Sequence, residues 1–236
     1  MARGSKDARI ILENMRRVCP EGVFPGHNQG RRGDWELDAF HILISTVLSQ
    51  RTKDSNTFSA SSALFREFNT PEQIANAPLD RLKSLVRPAG FPEAKAKAIK
   101  EIARIIHEEM GGQVPADREE LMRLPMVGRK TANCVLAYAF KKDAICVDTH
   151  VHRISNRIGL VRTNDPEETE LALMKIIPQE LWRDVNSYMV RFGQRICLPR
   201  NPRCYRCPLT KFCDFYTISE KGEKVRSHAS RTPKGR

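Results

Sequence analysis

Along most of this chain apolar residues recur at intervals of three and four, the spacing of helices that bury one face. Between 37 and 49, Leu37, Phe40, Ile44, Val47 and Leu48 fall near one stripe, after a Gly- and Arg-rich loop spanning 27–33. Between 93 and 109, Ile99, Ile102, Ile106 and the alanines make an apolar face, with Lys95, Lys97 and Glu101 available to the other. A short helix is expected over 117–123, following Pro115 and capped by Asp117. Residues 129–140 carry Ala132, Val135, Leu136, Ala139 and Phe140 at helical spacing. Further helices are expected over 149–158 and 166–177, the second opened by Asp165-Pro166. Only Ala144-Ile145-Cys146-Val147 reads as a strand, and four residues serve equally as a buried extended connector. The expected fold class is all-α.

Charge narrows the partners. The chain has 236 residues, with 40 Lys and Arg against 28 Asp and Glu, a formal net charge of +12. Such an excess favours a polyanion, nucleic acid first and an anionic membrane surface second. A hydrophobic fraction of 40% with 29% charged residues is that of a globular chain able to bury a core. No apolar run approaches a membrane span, and the opening Met1-Ala2-Arg3-Gly4-Ser5-Lys6 lacks the apolar core of a signal peptide. The expectation is a protein that is neither secreted nor membrane-bound. Residues 219–236 hold six basic and two acidic side chains and no apolar period, so they are expected to form a disordered basic tail.

Three constellations carry chemistry. In Leu124-Pro125-Met126-Val127-Gly128-Arg129-Lys130-Thr131-Ala132, Pro125 ends one helix and Gly128 permits close approach where the next begins. That helix start suits a DNA phosphate, and the pattern is a helix-hairpin-helix signature. Cysteine makes the second. Of seven cysteines, Cys197, Cys204, Cys207 and Cys213 crowd into 17 residues, while Cys19, Cys134 and Cys146 are scattered. Four thiolates so spaced can close on a tetrahedral zinc or an iron–sulfur cluster, and ligand type alone does not choose. Arg200 and Arg203, between the first two, are placed to reach phosphates.

The third is the pair Lys130 and Asp148. A lysine in the first turn of a helix meets the positive dipole end, which lowers its pKa and favours an amine nucleophile. From 130 to 140 a helix rises about 15 Å, and 141–148 can span up to about 26 Å. The chain can therefore return Asp148 toward Lys130. Each residue also has a plain structural reading: Lys130 as a phosphate contact, Asp148 as a helix cap.

Together these residues resemble the endonuclease III family of bifunctional DNA glycosylase/AP lyases. The likeness runs from about Phe40 to Cys213, through Leu48-Ser49-Gln50-Arg51-Thr52-Lys53-Asp54, the hairpin, Val147-Asp148-Thr149-His150-Val151 and the cysteine spacing. The resemblance implies two helical lobes. One is a six-helix barrel with the helix-hairpin-helix over 32–143; the other combines 1–31 with 144–218 and holds the cysteines. DNA would lie across the cleft, with Lys130 and Asp148 at its mouth.

It further implies a [4Fe-4S] cluster on Cys197, Cys204, Cys207 and Cys213. Lys130 matches the family's nucleophile and Asp148 its catalytic aspartate. The implied partner is double-stranded DNA carrying damaged bases or abasic sites. The implied setting is the cytoplasm of a prokaryotic cell, beside chromosomal DNA, with the protein a monomer. The implied reaction is removal of an oxidised pyrimidine through a lysine Schiff base, then strand cleavage by β-elimination.

Two departures stand out. Met126 occupies a place where the family usually has Gly, which implies a different turn or a strained one. The stack-filling Gln of many members falls where this chain has Arg51, so either Gln50 serves from a shifted loop or Arg51 takes the role. Phe91, in Ala89-Gly90-Phe91-Pro92, matches a second loop with an apolar wedge. Hairpin contacts are expected from Met126, Gly128 and Arg129. The alternatives are a glycosylase for mismatched thymine or uracil, and a non-catalytic helix-hairpin-helix DNA-binding scaffold.

Overall fold

The computed structural model describes residues 4–19 and 38–219. The chain divides into two compact units, one of Val23–Cys146 and one of Met1–Gly22 with Val147–Arg236. The loop at 27–33, Leu37, the boundary expected near 31 and the basic tail beyond Ser219 lie outside the described residues.

In chain order the helices are α1 (Ser5–Val18), α2 (Ala39–Ser49), α3 (Asp54–Glu67), α4 (Pro71–Asn76), α5 (Leu79–Val86) and α6 (Pro92–Glu108). After them come α7 (Arg118–Met122), α8 (Arg129–Tyr138), α9 (Thr149–Ile158), α10 (Pro166–Ile176) and α11 (Trp182–Arg195). No strand occurs among the described residues. Nor is any helix there long and apolar enough to cross a membrane.

In the unit ending at Cys146, α6 packs on α4 and α5, and α2 packs on α3, α6 and α8. Leu43, Ile44, Val47 and Leu48 of α2 meet Ile99, Ile102 and Ile106 of α6 and Val135 of α8 in one buried core. Capping sets the entry of several helices. Asp38 accepts from the His41 amide, Thr70 and Gln73 form a capping box, and Asp117 accepts from the Glu119 and Glu120 amides. One polar side chain departs from the expected pattern: Lys95, read as available to the solvent side of α6, is only 1% exposed.

The segment 144–147 settles as a buried connector rather than a strand. Ala144 joins the core, the Asn133 side-chain amide donates to the Ile145 carbonyl (3.0 Å), and Cys146 forms a disulfide with Cys134. These ties hold 144–146 to the first unit, so the boundary falls at 146/147 rather than at 143/144.

In the other unit α11 packs on α1 and α9, and α10 on α9. Ile11 and Met15 of α1, Val151 and Ile154 of α9, and Val185, Met189 and Phe192 of α11 are buried. Gly193 permits the close crossing of α9 and α11, because a Cβ there would stand 2.3 Å from His150 Nδ1.

Candidate DNA-processing site

The hairpin between α7 and α8 turns at Leu124-Pro125-Met126-Val127, closed by the Val127 amide on the Leu124 carbonyl (3.1 Å). Met126 takes φ +58°, the left-handed conformation that the third position of a type II turn requires. Of the two expectations for Met126, strain holds and a changed turn does not. The Met126 side chain is 40% exposed.

Gly128 is the N-cap of α8, at φ −92°. A Cβ added to it would meet nothing within 4 Å. No neighbour in the chain requires glycine there; the space before the helix start is open to a ligand oxygen. Arg129 and Lys130 are the first two residues of α8 and both are half-buried. The Cys146 sulfur lies 3.6 Å from the Lys130 carbonyl oxygen.

Two loops of the same unit join this hairpin. Gln50, the C-cap of α2, donates from Nε2 to the Met126 carbonyl (2.7 Å) and the Thr131 hydroxyl (3.3 Å). Arg51 follows at φ +54°, exposed, with its guanidinium 5.2 Å from the centre of the Phe91 ring. Phe91 is 58% exposed at φ +49° and is the N-cap of α6. It is therefore not a core residue. The Gln50 side-chain amide is thus engaged with the hairpin, while Arg51 is exposed.

Asp148 belongs to the other unit, two residues past the boundary. It caps α9, its carboxylate accepting from the His150 and Val151 amides at 2.9 Å each. The capping reading is thus realised, and a carboxylate has a second oxygen for other work.

The four clustered cysteines are free and partly buried in that same unit. Among the described residues no three His, Cys, Asp or Glu side chains stand ready to hold a metal ion. The donor set nevertheless fits a thiolate-ligated centre. Burial first, and then Cys197, raises the Cys204 thiol. Burial, followed by repulsion from Cys213, Cys197 and Cys204, pushes Cys207 up to about 11 against a lowering contact from the Leu209 amide. Cys213 is raised by burial and by Cys197 and Cys204, against the opposing Tyr216 amide. Each of these three thiols is raised in part by other cysteines of the set, a repulsion that a bound cation would relieve.

Arg157 holds the segment's entry, donating to the Leu198 and Pro199 carbonyls at 2.7 Å each, with its guanidinium 4.7 Å from the centre of the Phe215 ring. Arg200 and Arg203 are exposed beside it, Arg203 placing a guanidinium nitrogen 3.4 Å from the Arg195 carbonyl.

Sequence reasoning missed three residues here: Lys95, Arg157 and Tyr205, the last 85% exposed between the second and third cysteines. For Lys95 the signal was present, since 95, 99, 102 and 106 follow one helical stripe. Nothing in the pattern marked Arg157 or Tyr205.

An all-helical chain with a helix-hairpin-helix beside an exposed Arg–Phe pair defines a class, and comparison with known proteins agrees. Residues 44–179 match the HhH-GPD superfamily of base excision DNA repair proteins. The chain is 53% identical over 200 residues to endonuclease III of Thermotoga maritima, covering 85% of this chain and 93% of that protein. It is similar to a solved non-covalent endonuclease III–DNA complex, with a TM-score of 0.83 and 34% identity over 93% of this chain and 99% of that one. It is also similar to a trapped endonuclease III–DNA covalent intermediate, with a TM-score of 0.80 and 34% identity over 92% and 99% of the respective chains. The chain belongs to the HhH-GPD superfamily of base excision repair proteins. Within it the chain belongs to the endonuclease III family, and is a DNA glycosylase with AP lyase activity.

Proposed function

We propose that this enzyme removes oxidised pyrimidines from double-stranded DNA through a Schiff base on Lys130 and then cleaves the strand by β-elimination. The observation that supports this most is the start of α8: a lysine second in the helix, after a glycine whose Cβ position faces open space. A phosphate drawn to that helix start brings its nucleotide to the lysine.

In the proposed reaction the Lys130 amine attacks C1′ of the extruded nucleotide. The C1′–N bond breaks, and the base leaves with the bonding pair and takes up a proton. The amine loses a proton and the sugar ring opens, giving a C1′=N imine. Loss of a C2′ proton then expels the 3′ phosphate, and water releases the lysine. Asp148 stabilises positive charge at C1′ or takes the lysine proton, and stays in place because the start of α9 holds it. Arg51 and Phe91 enter the duplex where the base leaves the stack, and Met126, Gly128 and Arg129 hold the backbone.

We assign a [4Fe-4S] cluster to Cys197, Cys204, Cys207 and Cys213. Among residues 199–219 only Leu209 is buried, so hydrophobic burial does little for this segment. When bound, the cluster supplies four covalent staples in its place. Arg200 and Arg203 contact phosphates, the protein acts as a monomer, and its setting is the cytoplasm of a prokaryotic cell.

Borohydride trapping on duplexes bearing thymine glycol, a G·T mismatch, uracil or a preformed abasic site tests the reading. Covalent adducts on thymine glycol and abasic DNA are expected. Adducts on the mismatch but not on thymine glycol would move the substrate to mismatched thymine. No adduct on any duplex would return the protein to a scaffold. Metal analysis should find iron; zinc alone would overturn the cluster.

A further inference from the structure

Lys95 is a lysine 1% exposed in the core of the first unit, and its ammonium is fully engaged. Nζ lies 2.8 Å from the Leu48, Gln50 and Ala89 carbonyls and 2.7 Å from the Thr52 hydroxyl. Leu48 and Gln50 end α2, and Ala89 ends the 3₁₀ turn Arg87–Ala89. Carbonyls at helix ends lack intrahelical partners, and the negative end of the α2 dipole attracts a cation. Burial pushes the lysine down to about 8, while four oxygen neighbours favour its charged form.

The two loops held by this ammonium are the ones that present Arg51 and Phe91. Among the described residues, five that are not glycine have positive φ, and three of them are Arg51, Phe91 and Met126. Each such conformation is costly for a side chain and persists only where its surroundings enforce it. Gln50 lies just before Arg51, Ala89 two residues before Phe91, and the Gln50 side chain continues the chain of bonds to Met126. A methionine could fill the same volume without desolvating a charge.

We propose that Lys95 is a positioning residue that clamps the Gln50–Thr52 and Ala89–Phe91 loops together, so that Arg51 and Phe91 enter lesion DNA as one wedge. The proposal rests on the DNA-contact roles given above. Without the clamp the loops part, the Arg51–Phe91 pair separates, and the vacated stack is no longer filled. Phosphate binding at the hairpin continues.

The test compares wild type with Lys95→Met and Thr52→Val, on intact duplex and on duplex with a tetrahydrofuran abasic analogue opposite 2-aminopurine. Anisotropy reads affinity and 2-aminopurine fluorescence reads stack filling. Lys95→Met should lower the preference for abasic over intact DNA by about tenfold and abolish the fluorescence change. Affinity for intact duplex should change by less than about twofold, whereas a general loss of structure would lower both affinities together. Thr52→Val removes one of the four acceptors and should act in the same direction by about threefold, which decides the matter if Lys95→Met does not fold. Wild-type preference and fluorescence in every folded variant would overturn the clamp alone. Absence of abasic preference and of a borohydride adduct in the wild type itself would overturn the enzyme reading and the clamp with it.

Discussion

The hairpin-and-loop surface of the first unit and the cysteine segment of the second reach order by opposite means. Around Gln50, Phe91 and Met126, a full apolar core stands behind the loops, and buried polar ties set their conformation. Between Cys197 and Cys213 almost nothing apolar is buried, and the ties include those of Arg153 to the Cys197 carbonyl and of Arg157 to two more. One surface is organised by its own side chains. With the proposed cluster, the other would depend on what its thiols bind. A ligand-dependent segment can lose its shape in one step, whereas a surface tied at many points loses it by increments.

The largest effect is therefore expected at the cysteines. Cys207→Ser should remove on the order of 5 kcal/mol of folding energy from the second unit, read by chemical denaturation together with iron content. Wild-type stability without iron would erase the contrast. Next comes Asp148→Asn. Asparagine caps a helix as well as aspartate does, so the fold should persist, while base release slows by about 10²-fold or more. Single-turnover kinetics on lesion duplex measures this, and an unchanged rate would leave Asp148 as a cap alone.

A smaller effect is expected from the buried polar ties. His41 is 3% exposed, with Nδ1 2.7 Å from Asp38 Oδ1 and Nε2 2.6 Å from Asn69 Oδ1. Burial lowers its pKa, but the Asp38 and Asn69 oxygens outweigh that and raise it overall. Because the folded pKa is raised, the stabilisation is full below the unfolded value near 6.5 and is lost as pH rises through the folded one. The margin of wild type over His41→Gln in denaturation should be larger at acid than at alkaline pH. A difference independent of pH would mean that the imidazole is neutral throughout.

Met126→Gly should have the smallest effect. Relief of a left-handed side chain is offset by added freedom in the unfolded chain, leaving a gain of roughly 0.5 kcal/mol. A loss on denaturation would show that the Met126 side chain packs usefully.

Much of this was legible in the residues. Asp117 and Asp165 announce their helices, and the 149–158 element matches α9 to the residue. The α6 stripe was legible except at Lys95, because residue type argued for solvent while position argued for the core. Only tertiary structure brings the carbonyls of two other elements to that ammonium. α3 escaped because Ser55, Ser59, Ser61 and Ser62 dilute its apolar stripe, although Ser61 and Ser62 are buried. For the candidate site, the sequence likeness marked Lys130 and the cysteines; the positive φ of Arg51 and Phe91, which aims the loop tips, is invisible before the backbone is known.

Lys130→Gln tests the central claim most directly. It keeps length and polarity at the second residue of α8 and removes the amine. The account predicts no borohydride adduct on abasic DNA, with binding to the same duplex within about twofold of wild type. An adduct formed at the wild-type rate would contradict it, because another amine would then be the nucleophile.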